Sequence, residues 1–161
     1  MKSIALIGFA TAGKTTVGKI LASRLGCSFV DCDQLLEETY GKSISQLFNA
    51  GEQQFRALEN QLLATLPTTN TVIACGGGAV ENTNFNLLAH NTTVVWLNVD
   101  LDTCLLRLGT TARPLHDNKD ETQLAQFMAR RNNLYASYAN VVVDANGNVE
   151  SVVQQICDKL N

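Results

Sequence analysis

The sequence predicts an α/β protein of three layers, with a five-stranded parallel sheet between two layers of helices. Short, continuously apolar runs alternate along the chain with segments of helical periodicity, as is typical of parallel sheets covered on both faces. The first apolar run leads directly into a glycine-rich loop and an amphipathic helix. A length of 161 residues suits one domain, spanning 1–161, with a substantial core.

The elements follow from these patterns in chain order. Apolar runs rich in β-branched and aliphatic side chains predict strands at 4–7, 28–30, 71–75, 93–97 and 141–143. Helical periodicity predicts helices at 14–25, 34–40, 44–50, 53–66, 84–89, 101–108, 122–139 and 149–160. Right-handed crossovers would then bring the active residues together at the carboxyl ends of the strands.

Composition excludes several classes of function. A net charge of −3 without a basic stripe argues against nucleic-acid binding. No apolar run approaches the roughly 20 residues of a membrane span, and the N-terminus lacks the features of a signal peptide. The five scattered cysteines are expected to be reduced core residues rather than disulfides or zinc ligands. We therefore expect a cytoplasmic protein that acts as a monomer, with no membrane or nucleic-acid partner.

A phosphate-binding loop is predicted directly after the first strand. Residues 8–15, Gly-Phe-Ala-Thr-Ala-Gly-Lys-Thr, match the pattern G-x-x-x-x-G-K-[ST]. The glycines allow a tight turn that points backbone N–H groups at phosphate oxygens, and the following helix adds the positive end of its dipole. Lys14 is expected to reach the β- and γ-phosphates of ATP, and the Thr15 hydroxyl to bind Mg²⁺. The pattern does not identify the acceptor.

Polar segments elsewhere supply candidates for the acceptor side. Asp31 and Asp33 follow the second strand, where one carboxylate can hold Mg²⁺ through water while the other meets the acceptor hydroxyl; the alternative for Asp33 is a helix cap. Three consecutive glycines, 76–78, are typical of close backbone approach to a ligand. Arg56 and Glu59 lie three residues apart on a helix, and this spacing alone favours an exposed ion pair of little energetic value.

Taken together, six segments resemble the shikimate kinases over nearly the whole chain. They are the phosphate loop, Asp31-Cys32-Asp33, 51–59, Ala74-Cys75-Gly76-Gly77-Gly78, Arg113-Pro114-Leu115 and Arg130-Arg131-Asn132-Asn133-Leu134-Tyr135. The resemblance implies a P-loop kinase fold with a mobile lid at 109–120 and a substrate-binding region within 33–60. Its implied activity is transfer of the γ-phosphoryl group of ATP to the 3-hydroxyl of shikimate. Two departures are Thr11, where the loop usually has a glycine, and Asn-Gly-Asn at 146–148, where many members carry an arginine.

The resemblance also implies a role for individual residues. Asp33 would orient the acceptor hydroxyl and take its proton, Arg56 and Arg131 would clamp the carboxylate, and Arg113 on the lid would stabilise the transition state together with Lys14. The implied nucleotide contacts are Gly8, Ala12, Gly13, Lys14, Thr15, Thr16, Arg107 and Arg113. The implied shikimate contacts are Asp33, Arg56, Gly76, Gly77, Gly78 and Arg131, and the implied Mg²⁺ residues are Thr15 and Asp31.

Other functions stay open on the sequence. A gluconate or nucleoside monophosphate kinase would share the fold, but a nucleotide acceptor needs several basic residues for its phosphate, and the acceptor side offers chiefly Arg56 and Arg131. A non-catalytic ATP-binding module is disfavoured because it does not need an acceptor base such as Asp33. The alternative for the loop at 109–120 is an ordinary solvated surface loop.

Overall fold

A computed structural model describes residues 1–109 and 120–161, and in these residues the chain forms five strands and eight α-helices. The strands are β1 (Ile4–Ile7), β2 (Ser28–Asp31), β3 (Thr71–Ala74), β4 (Thr93–Asn98) and β5 (Val141–Asp144). The helices are α1 (Lys14–Leu25), α2 (Cys32–Tyr40), α3 (Ile44–Asn49), α4 (Glu52–Leu63), α5 (Phe85–Asn91), α6 (Leu101–Leu108), α7 (Glu121–Tyr138) and α8 (Val149–Leu160). Every predicted element is present, with ends within three residues of those expected.

The strands form one parallel sheet in the order β2-β3-β1-β4-β5, which confirms the predicted architecture. Strand β1 lies at the centre, where Ile4 pairs with Val72 on one side and Thr93 on the other. All four β1 residues are buried, as expected for a strand covered on both faces. The order places the ends of β1, β3 and β2 side by side.

Helices cover both faces of the sheet. Leu6 of β1 packs in a cluster with apolar residues of α1 and α8, such as Val17 and Ile156. The neighbouring residue Ile7 points to the opposite face, where it shares a second cluster with Phe85 of α5 and Tyr135 of α7. A smaller third cluster joins α2, α3 and α4 beside the sheet through Leu36, Leu47 and Phe55.

Two sequence expectations about the chain's chemistry can be checked in the described residues. All five cysteines lie in them and are free; Cys32, Cys75 and Cys104 are buried as core residues, whereas Cys27 and Cys157 are partly exposed. None of the helices in 1–109 and 120–161 has the length and apolar content that a membrane span requires. Arg113 and all of the predicted lid at 109–120 except its two end residues lie outside the described part of the chain.

Candidate active site

A cleft opens where three neighbouring strands end. Because β2, β3 and β1 are adjacent and parallel, the segments that follow them meet at the same edge of the sheet. They surround a cavity of about 180 Å³. Its lining residues are Ala10, Gly13, Lys14, Thr15, Thr16, Asp31, Asp33, Ala74, Cys75, Gly76 and Gly77. Phosphate-loop and predicted acceptor-side residues therefore share one cavity.

The phosphate loop depends on two glycines with positive φ. Gly8 has a φ of 147°, and a Cβ there would lie 2.6 Å from the carbonyl oxygen of Leu97, so a side chain would collide with the backbone of β4. Gly13, with a φ of 83°, is the N-cap residue of α1, so no side chain at the cap occupies the backbone N–H groups of the first turn. That turn also carries no acidic residue. The helix N-terminus is thus suited to an anion.

Lys14 is held against this loop. Its Nζ donates hydrogen bonds to the carbonyl oxygens of Gly8 at 2.7 Å and Phe9 at 2.9 Å, and the residue is buried. These contacts fix the ammonium group at the mouth of the loop. A lysine in this position supplies positive charge to a bound phosphate.

Asp31 links the phosphate-loop helix to α2. Its Oδ2 accepts a hydrogen bond from the Thr15 hydroxyl, while its Oδ1 accepts one from the backbone N–H of Gln34 at 3.1 Å and so caps α2. The cap is therefore Asp31, and the alternative that Asp33 caps this helix is wrong. Asp33 lies in the first turn of α2 and lines the shared cavity with Lys14.

The Thr15 hydroxyl and the Asp31 carboxylate fit a Mg²⁺ ion as donors. Both are hard oxygen ligands, and Mg²⁺ bound with a nucleotide commonly takes only one or two protein ligands alongside phosphates and waters. In the described ranges, no cluster of three or more His, Cys, Asp or Glu side chains offers a self-sufficient metal site.

The three glycines after β3 lie against functional side chains. A Cβ on Gly76 would come within 2.7 Å of Glu59 Oε2 and 3.0 Å of Asp33 Oδ1. A Cβ on Gly78 would lie 2.5 Å from Cζ of Arg56. The absence of side chains at 76 and 78 therefore lets two carboxylates and a guanidinium approach the backbone of the cleft.

Arg56 and Glu59 form an ion pair in which Glu59 is buried and Arg56 is half-buried, so the exposed ion pair expected from their spacing alone is wrong. Glu59 is only 1% exposed, and its Oε1 accepts from Arg56 Nη1 at 2.6 Å and from Asn82 Nδ2 at 2.8 Å. Helical periodicity cannot show this burial, because the cover comes from the distant segment around Gly76 and Asn82. The pair holds Arg56 at the rim of the cleft.

Arg131 reaches the same region from α7. It is 3% exposed, and its Nη2 donates to Glu81 Oε2 at 3.0 Å. One turn further along, the Tyr135 hydroxyl donates to the carbonyl oxygen of Gly77 at 2.6 Å, and burial raises the pKa of this tyrosine to about 12. Helix α7 is thereby attached to Gly77 and to the turn that follows the glycines.

The two arginines share an unusual feature. The Nε of Arg56 and the Nε of Arg131 are both buried and have no hydrogen-bond partner. Buried donors in native proteins are nearly always paired, and an orphan one calls for an explanation. A planar guanidinium with a free edge is suited to a carboxylate ligand.

Arg107 lies on the other side of the phosphate loop. Its guanidinium donates to the carbonyl oxygens of Thr11 at 2.8 Å and Ala145 at 2.9 Å, beside a second cavity of about 220 Å³. This cavity is lined by Thr11, Ala12, Gly13, Thr16, Val17, Arg107, Ala145, Gly147, Val149 and Val152. Arg107 thus joins the phosphate loop to the segment at 145–147, on the side expected to hold the nucleoside.

Sequence reasoning missed three of the residues that support this site. Glu81 and Asn82 lie three and four residues after the glycine triad, and their closeness to it was the available signal. Tyr135 belongs to the segment 130–135, but no pattern in the sequence predicts that its hydroxyl contacts Gly77.

The fold and the site define a P-loop kinase of the small-molecule type. The sequence profile described as shikimate kinase matches residues 10–161. The chain belongs to the shikimate kinase family. Curated relatives agree: the shikimate kinase of Sulfurihydrogenibium sp. is 41% identical over 165 residues, with 99% of this chain and 98% of that protein covered. The shikimate kinase of Moorella thermoacetica is 40% identical, with 94% and 89% covered.

Solved structures give the same result. The structure of shikimate kinase from Acinetobacter baumannii in complex with shikimate matches with a TM-score of 0.93 and 32% identity, and covers 99% of this chain and 93% of that one. A gluconokinase from Sinorhizobium meliloti matches with a TM-score of 0.59 and 17% identity, covering 99% and 91%. The second likeness shows a common fold alone.

Proposed function

We propose that this protein transfers the γ-phosphoryl group of ATP to the 3-hydroxyl of shikimate, giving shikimate 3-phosphate and ADP. One observation carries the proposal: Lys14 and Asp33 line the same cavity, and the glycine segment 76–78, which contributes Gly76 and Gly77 to its wall, adjoins two arginines with unpartnered Nε donors. Membership of the shikimate kinase family and the shikimate complex of the Acinetobacter relative support this choice of acceptor.

On the nucleotide side, backbone N–H groups of the phosphate loop and the Lys14 ammonium neutralise the β- and γ-phosphates. Gly8, Ala12 and Gly13 provide the loop backbone, and Thr16 lines both cavities beside it. Arg107 borders the nucleoside cavity and fixes its wall through two backbone carbonyls. Mg²⁺ held near Thr15 and Asp31 would add positive charge at the phosphates.

On the acceptor side, Asp33 orients the ring hydroxyl toward the terminal phosphate and accepts its proton. Proton transfer of this kind contributes about 10²–10⁴ in rate. Arg56 and Arg131 bind the shikimate carboxylate, and each has a buried Nε donor to offer. Gly76, Gly77 and Gly78 supply the backbone against which the ring lies.

Three further parts of the proposal rest on the sequence and the family. Arg113 enters the site with the lid at 109–120 and stabilises the transition state. The enzyme acts in the cytoplasm, where its five free cysteines would stay reduced. It acts as a monomer. It has no nucleic-acid partner, in keeping with its net charge of −3. The whole chain, 1–161, acts as one domain.

A coupled assay of ADP release tests the proposal directly. Purified protein is supplied with MgATP and, in separate reactions, with shikimate, gluconate or AMP. We expect rapid ADP formation with shikimate and rates at least about 100-fold lower with the other acceptors, since the site is built for one carboxylate on a compact ring. Equal or faster turnover of gluconate or AMP would contradict the choice of acceptor, and ATP binding without turnover of any acceptor would favour a non-catalytic module.

A further inference from the structure

Glu81 lies between two arginines of α7. It ends a short 3₁₀ turn, Ala79–Glu81, that follows the glycine triad. Its Oε2 accepts from Nη2 of Arg131 at 3.0 Å, and its Oε1 lies 4.0 Å from Nη2 of Arg130. Arg131 is buried, whereas the side chain of Arg130 is 66% exposed. One carboxylate is thus shared between a buried cation and a solvated one.

Arg56 and Arg131, which are proposed to bind the shikimate carboxylate, are held by their glutamate partners through different edges of the guanidinium group. In a guanidinium, the Nε–H and Nη2–H bonds run parallel along one edge, and this edge can bind both oxygens of a carboxylate. Glu59 holds Arg56 through Nη1, which leaves the Nε–Nη2 edge of Arg56 available apart from Glu52 at 3.8 Å. Glu81 instead takes Nη2 of Arg131, so it occupies half of the edge that carries the unpartnered Nε.

The two carboxylates also differ in how firmly they are fixed. Glu59 is 1% exposed and has two close partners, Arg56 and Asn82, so removing it from them would leave a buried charge unpaired. The Glu81 side chain is 28% exposed and has Arg130 as a second partner within reach. Its departure from Arg131 costs less, provided that another carboxylate takes its place, because Glu81 can then pair with Arg130 and neither it nor buried Arg131 is left unpaired.

We propose that Glu81 competes with the carboxylate of the acceptor for the Nε–Nη2 edge of Arg131, and that its carboxylate turns to Arg130 when the acceptor binds. This inference rests on the proposed function of the site. Competition weakens the binding of every carboxylate by a similar factor. An acceptor whose ring hydroxyls add further contacts still binds, whereas simple carboxylates no longer fill the site. Glu81 thereby raises the intrinsic affinity that any carboxylate needs in order to occupy the site, and the ring hydroxyls supply it.

The substitution Glu81→Gln tests this competition, because it keeps the size of the side chain and removes its charge. We expect the dissociation constant of shikimate, measured by titration calorimetry without nucleotide, to fall about 3- to 10-fold, the scale of one interaction between partly exposed charges. The probe cyclohexanecarboxylate, which lacks hydroxyls, should gain affinity by a similar factor. The affinity for MgATP should stay within about twofold, because Glu81 lines neither the cavity shared by the phosphate loop and Asp33 nor the cavity beside Arg107.

Glu150→Gln is the matched control. It makes the same change of charge and removes an ion pair with Arg24, at 2.7 Å, that joins α1 to α8. Neither residue lines the cavity at the ends of the strands. Shikimate affinity should be unchanged in this variant. If both variants bound shikimate more tightly by the same factor, the gain would be due to the change in net charge alone, and the inference would be overturned. Unchanged or weaker shikimate binding in Glu81→Gln would overturn it too, since Glu81 would then only position Arg131.

Arg130→Gln supplies a second measurement. Without its alternative partner, Glu81 should stay on Arg131, and shikimate should bind about 2- to 5-fold more weakly. This loss should disappear in the double variant Arg130→Gln/Glu81→Gln; a loss that persists there contradicts the transfer of Glu81 to Arg130. Wild-type protein that does not bind shikimate at all would count against the proposed function, and the response to cyclohexanecarboxylate would still decide the role of Glu81.

Discussion

The substitution Gly78→Ala probes the contact between the glycine segment and Arg56. Gly78 has a φ of −99° and a ψ of 8°, which alanine can adopt, so the new methyl group acts through its contacts and not through backbone strain. It would lie 2.5 Å from Cζ of Arg56. Ordinary carbon contacts are about 3.5–4 Å, so the guanidinium must retreat by roughly 1 Å.

That retreat is large enough to change the acceptor site. The bond between Arg56 Nη1 and Glu59 Oε1, now 2.6 Å, would lengthen to roughly 3.6 Å and cease to be a hydrogen bond. A hydrogen bond to a charged group contributes about 1.5–3 kcal/mol. If Arg56 binds the shikimate carboxylate, its displacement should raise the KM for shikimate by about 10- to 100-fold. The KM for ATP should change less than about twofold, because Gly78 lines neither the cavity shared by the phosphate loop and Asp33 nor the cavity beside Arg107.

Steady-state assays in four proteins separate this mechanism from general damage: wild type, Gly78→Ala, Arg56→Lys and the double variant. Lysine lacks the planar fork, so Arg56→Lys alone should weaken shikimate binding. Once Arg56 is gone, adding Gly78→Ala should cost little more, and the two effects should fall well short of additivity. Additive effects, or an unchanged KM for shikimate in Gly78→Ala, would refute the reasoning.

Three further predictions concern the rest of the site. Asp33→Asn should lower kcat by about 10²–10⁴ while ATP still binds, as measured by calorimetry, because the amide cannot take the acceptor proton; near-normal turnover would remove Asp33 from the chemistry. Arg107→Ala should raise the KM for ATP by about tenfold through loss of two hydrogen bonds that fix the nucleoside cavity, without a matching effect on the KM for shikimate. The pKa of Tyr135 is raised to about 12 in the folded protein, so the stability it contributes is present below pH 10 and is lost as the pH rises from about 10 to 12. Between pH 10 and 12, the free energy of unfolding measured by chemical denaturation should fall by about 2–3 kcal/mol more in wild type than in Tyr135→Phe. An equal fall in both proteins would contradict the raised pKa of Tyr135.

The sequence predicted the fold and the phosphate loop because both depend on local patterns. The apolar runs and the helical periods fix the elements, and the glycines at 8 and 13 with Lys14 identify the loop from spacing alone. Helix α1 begins and ends at the residues predicted, since the loop defines its start and Gly26 its end. The end of α4 was placed three residues late, because periodicity continued to Leu66 after the helix had ended at Leu63.

The acceptor side of the site was harder to predict from the sequence, because it depends on contacts between distant segments. Spacing suggested that Arg56 and Glu59 were exposed, whereas the glycine segment and Asn82 bury Glu59. Asp33 was considered as a helix cap, but Asp31 takes that place because α2 begins one residue after it. Of the segments named by the family resemblance, those after β1, β2 and β3 meet at the cleft in the described residues. The resemblance gave no indication that Glu81 shares Arg131.

The most direct test of the account is a crystal structure with shikimate and a non-hydrolysable ATP analogue bound together. The account predicts a ring hydroxyl within hydrogen-bond reach, about 2.6–3.2 Å, of the Asp33 carboxylate and facing the terminal phosphate, with the shikimate carboxylate on Arg56 and Arg131. A ring bound elsewhere, or an Asp33 side chain turned away from the space between acceptor and phosphate, would contradict it.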